Sequence, residues 1–170
     1  MRPRTKALFL LLAVQSLWAP VVPARAATLT ASVNASVNKP LVLTKVQDLD
    51  MGTVTLGTGV WSNATVSISQ AGAVSCGSAN IVCTGATMAA TYNVQGSKQQ
   101  TVHISVPNVT LVNQSDSSKT LTLTTDAPAT ITLANSGFPG SNFSIGGSVT
   151  LNSSTPSGVY VGTMNVTVDY

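Results

Sequence analysis

GVYVGTMNVTVDY, residues 158–170, alternates two kinds of side chain. Tyr160, Met164, Val166, Val168 and Tyr170 fall on one face of an extended chain, while Val159, Val161, Thr163, Asn165, Thr167 and Asp169 fall on the other. A period of two means a strand with one dry face, and Gly162 marks a close backbone approach or a kink within it. The segment is therefore read as one long strand, Tyr160–Tyr170, which must lie on a core built by others like it.

Working back along the chain, similar runs recur at Phe143–Leu151, Ile131–Leu133, Leu121–Leu123, Val102–Val106, Met88–Val94, Ala64–Ile68, Val54–Leu56 and Leu41–Val46. Turn-forming clusters separate them at residues 57–59, 96–97, 113–118, 138–140 and 156–158. No stretch holds a useful helical period. Many short strands with polar turns predict an all-β, immunoglobulin-like β-sandwich over residues 39–170.

The strictest alternation stands ahead of that region. In ATLTASVNASVN, residues 27–38, every odd position is apolar and every even position polar. This predicts an N-terminal strand, and Asn38, Lys39 and Pro40 make a break before the domain proper. A terminal segment frays unless something pairs with it. Two partners suit the pattern: a strand of the same domain, or a groove on another molecule into which Leu29, Ala31, Val33, Ala35 and Val37 would point. Burying Leu29, Val33 and Val37 alone would contribute roughly 5–9 kcal/mol before the cost of ordering.

Residues 1–26 read as a secretory signal peptide. Arg2, Arg4 and Lys6 make a basic start, Ala7–Ala13 an apolar run, and Ala24-Arg25-Ala26 a small-x-small cleavage site. A membrane anchor is the competing reading, but Gln15 and Pro20 interrupt the apolar stretch early. Removing the segment leaves four lysines (Lys39, Lys45, Lys98, Lys119) against Asp48, Asp50, Asp116, Asp126 and Asp169, a net charge of −1. That balance leaves no basic patch for phosphates, so no nucleic-acid partner is expected, and no membrane span is expected after processing.

Cys76 and Cys83, in AVSCGSANIVCTG, are the only cysteines. In an exported chain such a pair predicts a disulfide closing a tight loop. Two lone thiols make a poor metal site, and the spacing is not that of a redox Cys-x-x-Cys.

Catalytic material is scarce: there is no Glu, one His and five Asp. His103, between Val102 and Ile104, faces away from its strand's apolar side. A triad through it has no nucleophile-elbow pattern to support it, so no enzyme activity and no cofactor are expected. Asp48 and Asp50 could share a Ca²⁺, but two carboxylates are too few without further oxygens, and an Asp near a turn commonly serves its own backbone. No metal site is expected. Trp61 is either a core anchor or an exposed ring that stacks on a sugar.

Three pieces carry a resemblance: LVLTKVQDLDMGTV (41–54), FSIGGSVTL (143–151) and the closing GVYVGTMNVTVDY. Together they resemble small secreted bacterial domains that carry an unknown-function label (DUF4402-like). They are also similar to subunits of archaic chaperone-usher pili, the group that includes spore-coat-U-like proteins. Leu49, Asp50, Met51, Gly52 and Thr53 fill the early motif of those subunits, with Met in place of the usual aromatic. Gly158, Tyr160, Gly162 and Tyr170 fill the closing motif. The cysteines depart from the pilin pattern, in which the disulfide ties the early strand into the sheet; here both lie mid-chain.

The pilin likeness implies a sandwich that lacks one strand, filled by the N-terminal extension of the next subunit. It further implies a periplasmic chaperone and an outer-membrane usher as partners, and a route through the periplasm to the surface of a Gram-negative bacterium as part of a fimbrium. The competing expectation is a monomeric secreted module that binds a carbohydrate or a surface.

Overall fold

The computed structural model describes residues 28–170, among which there is no helix. Residues 1–27, and with them the expected signal peptide, lie outside the described residues. The chain divides into Met1–Ala35 and Ser36–Tyr170.

The first unit corrects an expectation. Residues 28–38 form no strand, and Leu29, Val33 and Val37 are 98%, 92% and 90% exposed. An alternating segment has no internal backbone bonds of its own; without a neighbouring strand nothing holds it as one.

The second unit consists of thirteen strands: β1 (Val42–Gln47), β2 (Thr53–Leu56), β3 (Ala64–Ile68), β4 (Val74–Cys76), β5 (Ile81–Thr84), β6 (Ala90–Gln95), β7 (Thr101–Ser105), β8 (Val109–Asn113), β9 (Thr120–Asp126), β10 (Thr130–Thr132), β11 (Ser141–Leu151), β12 (Tyr160–Val161) and β13 (Thr167–Asp169). The largest sheet runs β1-β6-β11-β9-β8-β12, with β3 also on β11 and β4 on β3. A three-stranded sheet, β10-β7-β13, and a β2-β5 ribbon complete the set, and every strand pair is antiparallel.

β11 is the spine. Its first half pairs with β6 and its second half with β3 and β9. The changeover falls at Gly146-Gly147, where a side chain on Gly146 would collide with the Ile68 carbonyl and one on Gly147 would lie 2.8 Å from Leu123 Cδ1. Only glycine lets neighbouring backbone approach so closely on both faces.

The closing segment corrects a second expectation. Instead of one strand it makes two, β12 on β8 and β13 on β7, with residues 162–166 between them unpaired. The cause is its neighbour. The buried positions of residues 101–113 change parity across Pro107-Asn108, from Val102 and Ile104 to Val109 and Asn113. A strand lying along both halves must skip a register there. β4, β5 and β8 are strands that the periodicity did not announce.

Two apolar clusters form the core. The first joins β6, β7 and β11 through Tyr92, Val94, Val102, Phe143 and Ile145, with Leu133, and the Tyr92 and Phe143 rings stack at 5.8 Å. The second joins β3, β5, β8, β9 and β11 through Val66, Ile81, Val109, Leu123, Val149 and Leu151.

Candidate functional site

The chain between β1 and β2 must turn a corner, because β1 pairs with β6 and β2 with β5. Asp50 makes the turn. Its carboxylate accepts a hydrogen bond from Gly52 N at 2.8 Å, and its backbone exchanges two bonds with Met88, each 2.8 Å. Gly52 takes φ +68°, and a Cβ there would lie 2.6 Å from the Thr84 carbonyl oxygen. Asp48 is occupied too, with its carboxylate 2.8 Å from Lys45 Nζ. That hydrogen bond, reinforced by the carboxylate's charge, holds the Lys45 ammonium above its ordinary pKa. Among the described residues no cluster of His, Cys, Asp or Glu could hold a metal ion.

The corner leaves Leu49 and Met51 directed at the core, Leu49 against both clusters and Met51 against the second. Met164 on the closing segment also packs on both clusters. Between these two stretches the second cluster opens to the outside as a groove of about 1150 Å³. One lip is the corner and β2; the other is residues 155–164; the floor includes Val66, Val109, Leu111, Leu121, Leu123 and Val149. Its charged lining groups are Lys45, Asp48 and Asp50, at the β1 end. Tyr92 also borders it, and burial pushes its phenol above the usual tyrosine range.

Each lip carries a short strand edge, Thr53–Leu56 on one side and Tyr160–Val161 on the other. Among the described residues β2 pairs only with β5 and β12 only with β8, so each presents a backbone edge without a second strand. An apolar floor between two open edges can take one extended peptide: the edges supply hydrogen bonds and the floor receives alternate side chains.

Three features fix the lips. Asn113, 2% exposed, donates through Nδ2 to the Ser157 carbonyl at 3.0 Å and accepts through Oδ1 from Ser115 N at 2.8 Å. Gly162 lies so close to β8 that a Cβ would sit 2.7 Å from the Thr110 carbonyl oxygen. The Cys76–Cys83 disulfide forms, but not as a simple loop closure. Cys76 stands opposite Val66 on β3, and Cys83 opposite Val54 on β2. It thus ties the β2-β5 ribbon, one lip of the groove, to the floor sheet, so the early chain is fastened to the sheet through β5 despite the mid-chain cysteines.

The remaining sequence candidates lie elsewhere. His103 is exposed on β7, in register with Thr130 and Asp169. Trp61 is half-buried and packs against the second cluster, with Nε1 donating to the Gly57 carbonyl at 3.2 Å. The pilin likeness implied a groove, but the sequence did not say which residues line it. Its lips come from opposite ends of the chain, and the signal available was the apolar parity of Leu49–Met51 and of Tyr160–Met164.

A disulfide, with no helix among the described residues long and apolar enough to cross a membrane, fits an exported protein. No curated protein and no solved structure matches the chain. Residues 41–170, the strands and the whole groove, match the family model described as a domain of unknown function (DUF4402), and the chain belongs to that family.

Proposed function

We propose that this protein is an exported structural subunit, of immunoglobulin-like and pilin-like architecture, that assembles on the bacterial surface by β-strand donation. The carrying observation is the groove: an apolar floor between two strand edges that have no second neighbour. The occupant is residues 28–38 of a second copy. That segment is exposed, uncharged and alternating. At about 3.3 Å per residue, the segment extends to roughly 35 Å. A groove of one copy and a donor of the next make a head-to-tail contact that propagates rather than closes. During export an exposed floor of this kind needs cover, which a periplasmic chaperone would give before an usher exchanges it for the donor.

The test uses a chain beginning at Ser36, since Ser36–Tyr170 is a contact unit by itself. It should fold, and a synthetic ATLTASVNASVN peptide should bind it and raise its melting temperature. The same peptide with Val33→Asp should not bind, because an unpaired carboxylate would enter an apolar site. Equal binding by both peptides, or by neither, defeats the proposal.

A further inference from the structure

Strand donation raises a difficulty that the fold itself must answer. A donor attached to its own domain is present there at an effective concentration in the millimolar range. It should therefore enter its own groove before a neighbour's.

The root of the segment carries the answer. Lys39 N donates to Ser97 Oγ at 2.7 Å, and the Lys39 carbonyl accepts from the Tyr170 hydroxyl at 2.6 Å. The same hydroxyl accepts from Ser97 N at 2.9 Å. Both peptide groups of Lys39 are thus engaged. Pro40 has no N–H to give, and it biases Lys39 toward an extended backbone. The fit around the hydroxyl is close: a Cβ on Gly96 would lie 2.5 Å from it.

Entry into the chain's own groove needs a different geometry. β1 runs from this root toward the groove, whose lining begins at Lys45. Residues 28–38 would have to reverse at 38–40 and lie antiparallel beside β1, as a hairpin. A hairpin turn needs Lys39 to leave its extended conformation and release both contacts.

We infer that the Tyr170 hydroxyl is a positioning group that fixes the Lys39 backbone at the root of the donor segment, disfavours the hairpin that self-insertion needs, and so favours delivery of the segment to a second copy. This rests on the strand-donation reading and adds to it a residue that sets the balance between self-insertion and assembly.

The experiment refolds the processed full-length chain over a concentration series and compares it with Tyr170→Phe, which keeps the ring and removes only the hydroxyl. Wild type should assemble with a small monomer share. In Tyr170→Phe the monomer share should rise about three- to tenfold, the range that one lost hydrogen bond gives to a two-state balance. In that monomer, amides of Leu29–Val37 should be protected from exchange, with β6 and β11 unchanged. Ser97→Ala, which frees Lys39 N, should shift the balance the same way and decides the matter if Tyr170→Phe does not fold.

An unchanged monomer share overturns the inference, as does a raised share in which the Leu29–Val37 amides stay unprotected, since that would be structural loosening alone. Wild-type behaviour tests the parent reading separately. A wild type that stays monomeric at every concentration removes strand donation and the inference with it, whereas a wild type and variants that assemble alike remove only the role of Tyr170.

Discussion

The two apolar clusters are made by the same device, alternating strands that share β11 and β6 or β9, yet they finish differently. The Phe143 cluster is covered: Leu41, Leu43, Val166 and Val168 pack over it from the first and last stretches of the domain. The Leu123 cluster has the same kind of floor, but its lips stand apart as a groove. Leu49 and Met164, which touch both clusters, mark where one condition passes into the other. The comparison separates two tasks. The covered half holds the fold, and the open half leaves apolar surface for something else to bury, which a chain under selection for stability alone would close.

The largest expected effect breaks the covered half. Phe143 is buried and its ring stacks on Tyr92. Phe143→Ala should cost about 3–5 kcal/mol, from lost transfer energy and an unfilled cavity. Denaturant unfolding checks the value. A loss below 1 kcal/mol would mean that this half is no better packed than the groove, and the contrast would fail.

A smaller effect should fall on the open half. Replacing Cys76 and Cys83 together with Ser removes a short closed loop, for which chain entropy gives about 2.5 kcal/mol. The loss should be uneven, because the bond fastens the β2-β5 lip to β3-β4 and touches nothing in the Phe143 cluster. Amide exchange should speed in β2 and β5 while the β6–β11 pairing stays protected, and affinity for ATLTASVNASVN should fall. Uniform exchange across both halves would show that the lip is not a separate element.

Much of this was legible as pattern. Ala64–Ile68 forms as expected, and Leu41–Val46, Val102–Val106 and Phe143–Leu151 shift by one or two residues at an end. The disulfide pairing and the serving of Asp50 on its own turn were legible as well. What periodicity could not give was partnership. Val109–Asn113 breaks its alternation at Leu111-Val112, and only the parity change at Pro107-Asn108 shows that it begins a new strand. Residues 28–38 alternate best of all and form no strand, since alternation states which face is dry and not what lies on it. The groove is hidden for the same reason, being a gap between 49–56 and 155–164 that no local pattern announces.

The finest adjustment of the contrast is at Asn113. Its amide is the one buried polar side chain among the described residues, and it joins the β8–β9 turn to the 155–164 lip by bonds to Ser157 O, Ser115 N and Asp116 N. Gly158, at φ +144°, packs directly on that amide, so the lip is shaped around it. Asn113→Ala removes the bonds and leaves the Ser157 carbonyl without its donor, while the turn amides near the surface regain water. The net cost should be about 1–2 kcal/mol, less than that of the disulfide. Asn113→Asp separates the two jobs, because a carboxylate still accepts from Ser115 and Asp116 but cannot donate to Ser157. If the lip matters to the groove, both variants should lose affinity for the donor peptide, and Asn113→Asp should be no milder in stability than Asn113→Ala, because it sets a buried carboxylate oxygen against the Ser157 carbonyl. Peptide titration by calorimetry beside urea unfolding reads the two quantities apart. Full peptide affinity in Asn113→Asp would mean that the lip holds its place without this bond, and that the groove is set by Gly162 and β8 instead.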